Sequence, residues 1–252
     1  MYQYIEFFGH KTGMFSVCIG IALFTCVILL FRQLKKLSVS PDMENLVMQS
    51  VPFTFISGVA GGYFLDLLLR GGIEALFINP AGYGLTFYGW LIGTMIFLLF
   101  YAHCQHISKS FLMNLFLPAF ALAQAIGRIG CFLGGCCYGR PAAWGGVSYP
   151  AGSLPYIHFG STPLVPVQLY ESAYLIIIFL LLFFAVRFKK RGAWYLILMP
   201  SGRFFLEFLR ADDRGFVLDN RFSPSQYISC VLFICGIIWL ARIKLRRNYC
   251  NE

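Results

Sequence analysis

The stretch MFSVCIGIALFTCVILLF, Met14–Phe31, runs without a charge and is followed at once by RQLKK, Arg32–Lys36. Eighteen helical residues rise about 27 Å, close to the ~30 Å hydrocarbon layer of a bilayer. Glu6 and Lys11 precede the run and no small-residue cleavage site follows it, so it reads as a retained helix with a stop-transfer flank, not as a signal peptide.

Similar apolar runs recur outward from this one, centred on Phe53–Leu69, Leu85–Tyr101, Phe111–Phe132, Ser172–Val186, Trp194–Leu209 and Tyr227–Ala241. Hydrophobic residues make up 58% of the 252 and charged ones only 12%, with mean hydropathy +0.70, which excludes a soluble globular chain. The expectation is an all-α integral membrane protein of about seven transmembrane helices. It forms one polytopic domain over 1–252, with an outer loop or small head segment at about 131–165. That segment is rich in Gly, Pro, Ser and Tyr and carries turn signals at Gly134-Gly135, Gly145-Gly146 and Pro150-Ala-Gly152.

The net charge of +9 is distributed as a topology signal rather than as a nucleic-acid surface. Twelve of the 20 basic residues lie in four alternate segments: Arg32, Lys35 and Lys36; Lys109; Arg187, Lys189, Lys190 and Arg191; Arg242, Lys244, Arg246 and Arg247. The opposite segments hold Lys11, Arg70, Arg140, Arg210, Arg214 and Arg221. By the positive-inside rule the amino terminus is outside and the carboxyl terminus cytoplasmic.

Charges inside such spans mark function by default, since each costs ~3 kcal/mol or more at mid-depth unless paired. Here they are Asp66, Arg128, Arg203 and Glu207. Arg203, Glu207 and Arg210 are spaced to share one helical face, and Gln168 and Glu171 stand together where the next-to-last-but-one span begins. All but Asp66 fall toward the outer half in this topology, giving one polar cavity lined by arginines and two carboxylates. Mutual neutralisation of Arg203 and Glu207 is the alternative, but the arginines outnumber their partners. A guanidinium binds phosphate as a fork and stays charged, and the abundant phosphate ester of a membrane is a phospholipid headgroup.

Of nine cysteines, Cys18, Cys26, Cys230 and Cys235 lie in apolar runs as packing residues, while Cys104 and Cys250 fall on the inner side. Cys131, Cys136 and Cys137 sit together at the outer end of the fourth span. A disulfide, redox chemistry and loop packing stay open for these three. A metal is not expected, because the nearest outer histidine is His158 and the spacing fits no standard zinc site.

The stretch Gly127-Arg-Ile-Gly-Cys-Phe-Leu-Gly-Gly-Cys-Cys-Tyr-Gly-Arg140 resembles the signature of the prolipoprotein diacylglyceryl transferases, Gly-Arg-x-Gly-Asn-Phe-x-Asn-x-Glu-x-x-Gly-Arg. Pro166-Val-Gln-Leu-Tyr-Glu171 is similar to that family's His-Pro-x-Gln-Leu-Tyr-Glu motif, and Gly202-Arg-Phe-Phe-Leu-Glu-Phe-Leu-Arg210 to its Arg-Phe-x-x-Glu-Phe-x-Arg segment. Ser223-Pro-Ser-Gln226 opens the last span as a Gln-bearing segment does in the family. The likeness covers roughly Gly58 to Ile238. Cys131 stands at the family's asparagine, Cys136 at its acidic residue, Tyr88 at an expected histidine and Val165 at the histidine before the Pro-x-Gln motif. Gly62-Tyr63 also lacks the arginine common after the glycines of the second helix.

The resemblance implies transfer of diacylglycerol from phosphatidylglycerol, or a similar anionic phospholipid, to a cysteine thiol of a prolipoprotein, with release of glycerol phosphate. It implies no cofactor, no metal and no nucleic-acid partner. It also implies residence in the bacterial plasma (inner) membrane with the active site toward the outer leaflet. Arg128 and Arg203 become the expected phosphate clamp, with Arg140 next; Glu207 orients one of them, and Tyr88 is the fourth catalytic candidate. Gln168, Tyr170, Glu171, Cys131 and Arg210 are expected at the substrate, where Gly127, Gly130 and Gly139 admit close backbone approach. The thiol base is open between Tyr88, Glu171, His158 and the arginine field alone. Two other functions share the same residues: a lipid transferase with another acceptor, and a non-enzymatic lipid-binding or thiol-disulfide membrane protein.

Overall fold

The computed structural model describes residues 4–7, 10–70, 85–211 and 222–249. Two short strands, β1 (Tyr4–Phe7) and β2 (His10–Gly13), pair antiparallel ahead of the first span, an addition to the expected all-helical chain. The helices are α1 (Met14–Lys36), α2 (Pro41–Arg70), α3 (Phe87–Cys104), α4 (Lys109–Gly134), α5 (Leu154–Phe159), α6 (Val167–Leu180), α7 (Arg191–Leu206) and α8 (Pro224–Tyr249). Arg214, Arg221 and Cys250 of the sequence reading lie outside the described residues.

Six helices among the described residues are long and apolar enough to cross a membrane, against about seven expected. The difference is α7, only 16 residues long, which tightens into a 3₁₀ turn at Glu207–Leu209. The chain is a multi-pass membrane protein.

The centre of the bundle is α4, whose spanning window is 56% buried where the other five range from 17% to 39%. It packs against α1, α6, α7 and α3. That explains its sequence, for Leu112, Leu115, Leu117, Ala119, Ala121 and Ala125 are all fully buried. Around it, α2 pairs closely with α3, and α7 with α8. A Cβ on Gly61 would stand 2.5 Å from the carbonyl oxygen of Gly89, and one on Gly89 would stand 2.3 Å from that of Gly61. Backbones this close need small residues at the crossing, as in other membrane helix pairs.

Helix ends are set by local chemistry. The Ser108 hydroxyl accepts from the amide of Phe111 at the start of α4, and Gly135 ends that helix in the left-handed conformation at φ +71°. At α8, Gln226 N donates to Ser223 Oγ (3.3 Å) and Ser223 N donates to Gln226 Oε1 (2.9 Å), a reciprocal cap with Pro224 at the first helical position. At the opposite end of the bundle α6 finishes in a π turn, Leu181–Ala185. Arg191 donates there to the carbonyls of Phe183 (2.7 Å) and Val186 (3.3 Å), and to Gln33 Oε1 (3.0 Å). One of the basic topology residues therefore also satisfies backbone oxygens released by the turn.

Candidate active site

The antiparallel order of the helices brings the end of α4, the start of α6, the end of α7 and the start of α8 to one end of the bundle. There Glu171 is the hub. Its Oε1 lies 3.0 Å from Arg128 Nε and accepts from Gln124 Nε2 at 3.3 Å. Its Oε2 lies 2.7 Å from Arg203 Nη1 and 3.8 Å from Arg210 Nη1. Arg203 Nη2 is 3.0 Å from Glu207 Oε2, and Glu207 Oε1 accepts from Ser223 Oγ at 3.0 Å. The side chains of all five ionic residues are at most 7% exposed.

Among the described residues, three guanidinium groups meet these two carboxylates. Arg203 Nε is buried without a hydrogen-bond partner among the described residues. Arg128 engages Glu171 through Nε. Buried ionic groups are retained where their remaining hydrogen-bonding capacity is met, and Arg203 Nε is a donor of this cluster that an anion could engage.

Arg128 and Arg203 line a cavity of about 320 Å³. Most of its wall is apolar, from Phe15, Ile19 and Leu23 of α1, Phe55 and Leu69 of α2, Phe87 of α3 and Phe116 and Phe120 of α4. The polar wall holds Gln124, Tyr88, Asp66, Cys131 and Cys137 beside the two arginines. A charged end on an apolar chamber fits an amphiphile bound headgroup-first.

The sequence-derived residues divide into those at the cavity and those elsewhere. Gly127, Cys131 and Tyr88 line it with Arg128 and Arg203. Tyr88 hydrogen-bonds Ser229 Oγ; because Ser229 itself donates to Ser225 O (2.7 Å), the Tyr88 hydroxyl is the donor. Gly130 lies against Cys18, where an added Cβ would come within 2.8 Å, and so permits the crossing of α1 and α4. Gly139 fits between Val165 and Leu209, whose carbonyl oxygens would lie 2.4 and 2.9 Å from an added Cβ. Its backbone bridges to Arg210, locking the outer segment to the end of α7.

Gln168 and Glu171 do not act together. Fully buried Gln168 donates from Nε2 to Cys136 O (2.7 Å) and to the Tyr149 hydroxyl (3.0 Å), latching the outer segment. The side chain of Arg140 is exposed, while its backbone pairs with Leu209 and Val165. Tyr170 is 47% exposed. His158 hydrogen-bonds Tyr138 on the exposed short helix α5, away from the cavity lining. Gln124 was missed, although a glutamine four residues before Arg128 on an otherwise apolar helix shares its face. It accepts from the Tyr195 hydroxyl (3.4 Å) while donating to Glu171, tying the cluster to the core of α7.

The family model described as prolipoprotein diacylglyceryl transferase matches residues 4–242. A phosphatidylglycerol–prolipoprotein diacylglyceryl transferase of Clostridium tetani is 33% identical over 249 residues, covering 92% of this chain and 93% of the relative. The second such transferase of Clostridium perfringens is 34% identical over 250 residues, covering 96% and 94%. That of Fervidobacterium nodosum is 28% identical over 248 residues, covering 91% and 80%.

Proposed function

We propose that this chain, which belongs to the prolipoprotein diacylglyceryl transferase family, moves a diacylglyceryl group from phosphatidylglycerol to a cysteine thiol of a prolipoprotein. The observation that carries the reading is the pair Arg128 and Arg203, held by one carboxylate at the charged end of an apolar intramembrane cavity.

The reaction is a displacement. The acceptor sulfur forms a bond to the glycerol carbon of the donor. The carbon–oxygen bond to phosphate breaks, and its electron pair leaves on glycerol phosphate. Charge grows on the phosphate oxygens as that bond lengthens, and donors fixed in a water-poor site stabilise it most. Arg128 and Arg203 meet this requirement because Glu171, Gln124 and Glu207 hold them before substrate arrives. The apolar wall takes the acyl chains, and Cys131, Cys137 and Tyr88 face the acceptor. Arg210 supports the cluster from the edge.

The basic segments at the ends of α1 and α8, and between α6 and α7, lie at the end of the bundle opposite this site. With them in the cytoplasm, the amino terminus is outside and the cavity serves the outer leaflet of the bacterial plasma membrane.

The test is transfer in membranes from labelled phosphatidylglycerol to a peptide bearing the prolipoprotein cysteine. Label on the peptide thiol, lost in Arg128→Ala and Arg203→Ala at equal protein level, supports the reading. Intact donor with folded wild-type protein overturns it. Label on a different acceptor would keep the lipid site and replace the acceptor.

A further inference from the structure

Cys131, Cys136 and Cys137 are separated in sequence by the end of α4, yet their sulfur atoms all lie within 4.8 Å of one another. None forms a disulfide. The convergence has a definite backbone origin. The amide of Cys136 donates to Cys131 O (3.0 Å) across the Gly134-Gly135 reversal. Cys137 then adopts φ +60°, one of three non-glycine residues with positive φ among those described. Such a conformation costs ~1 kcal/mol or more and persists where the surroundings impose it. Gln168 fixes the same turn through Cys136 O.

We propose that Cys131, Cys136 and Cys137 form a three-thiolate site for a thiophilic divalent cation, zinc first, whose fourth position faces the cavity and receives the acceptor thiol. This rests on the transferase reading above. Zinc at ~2.3 Å from each sulfur sets them about 3.8–4.0 Å apart, so side-chain rotations of about an ångström complete the site. A disulfide needs sulfurs at about 2.05 Å. Three thiolates and one dication leave a single negative charge, with Arg128 in electrostatic range of all three sulfurs and Arg210 in range of Cys137 to offset it.

Catalytic zinc keeps three protein ligands and one open position, and here Cys131 and Cys137 stand on the cavity wall with Arg128 and Arg203. A thiol that coordinates such a cation is deprotonated outright. Its proton leaves to water, the metal-bound sulfur attacks the glycerol carbon, and the resulting thioether, neutral and a weak ligand, departs. The site thereby supplies the nucleophile without a separate general base. Both Glu171 oxygens are engaged by cations, Tyr88 donates its proton to Ser229, and Asp66 is the remaining carboxylate on the described wall.

The experiment uses full-length protein purified in detergent through a tag that binds no metal. Elemental analysis should find about one zinc per chain, falling to background in Cys131→Ser/Cys137→Ser and substantially in Cys136→Ala. Exchange of wild type into cobalt should give sulfur-to-cobalt charge-transfer absorption. That absorption should change on adding the cysteine acceptor peptide and not its serine counterpart. The cobalt readout needs neither turnover nor a folded variant, so it separates this proposal from the transferase reading. Zinc-free wild type with three alkylatable thiols overturns the proposal. So does a reducible disulfide among the three, a spectrum blind to the peptide, or metal-free transfer abolished by Asp66→Asn.

Discussion

Arg128 and Arg203, from helices that meet at one end of the bundle, are bound to opposite oxygens of the same carboxylate, at 3.0 and 2.7 Å from Glu171. Their separation is therefore set by one side chain on a third helix. Glu171→Gln removes that charge from beside three guanidinium groups, those of Arg128, Arg203 and Arg210. Breaking a buried ion pair by removing one partner costs about 3–5 kcal/mol. Thermal unfolding in detergent should show Glu171→Gln well below wild type. A midpoint equal to wild type would mean that the cluster contributes nothing to the packing of α4, α6 and α7.

Charge alone does not replace the fork of a guanidinium. Arg128→Lys keeps the cation but cannot hold Glu171 through Nε while turning other donors to a phosphate. Loss of one such donor from a preorganised site costs about 10²–10³ in rate. Initial transfer rates at matched protein level should fall by about that factor for Arg128→Lys and for Arg203→Lys. Rates within a few-fold of wild type would reduce the arginines to topology or packing.

Much of this site was legible in the sequence, because an intramembrane charge is expensive wherever it sits and so points to itself. Arg128, Glu171, Arg203, Glu207 and Arg210 are expected to line one cavity; the structure brings them into one cluster, of which Arg128 and Arg203 reach the cavity wall while Glu171, Glu207 and Arg210 stand behind it. Helical periodicity failed where the helix does. Glu207 opens a 3₁₀ turn, so Arg210 reaches Glu171 from beyond α7 rather than along its face. Gln168 and Glu171 share a face by spacing, but the first meets the outer segment and the second the cluster. The meeting of the three cysteines depends on the left-handed backbone at Gly135 and Cys137, which no spacing rule reports. Arg140 reads like the other signature arginine, yet the bridge at this place is made by backbone, and its side chain is exposed.

Tyr88 occupies a buried place on the cavity wall, and its hydroxyl proton is committed to Ser229. It therefore shapes the wall and anchors α3 to α8, and we propose that the transfer step proceeds without its ionisation. Tyr88→Phe should lose one buried hydrogen bond, ~1 kcal/mol, and keep transfer within about tenfold of wild type. Rate against pH should retain its shape. A complete loss of transfer in a stable Tyr88→Phe protein would restore the tyrosine as the acid–base group.

Gln168 offers a sharper separation of positioning from chemistry, since it is absent from the cavity wall yet holds the turn that carries Cys136. Gln168→Ala leaves Cys136 O and the Tyr149 hydroxyl without this partner, at about 1–3 kcal/mol for each buried group left unsatisfied. The disturbance is local, so amide hydrogen exchange should rise across residues 136–149 while α4 and α6 stay protected. Gln168→Glu tests the donor direction. Burial holds the Tyr149 phenol above its ordinary range, so it stays protonated and can donate to the new carboxylate. Cys136 O then faces an acceptor instead of an amide. Exchange in Gln168→Glu should therefore rise around Cys136 more than around Tyr149, whereas Gln168→Ala should raise both. Equal protection at both places in both variants would show that the outer segment is held by its backbone bridges to Leu164 and Arg210 alone.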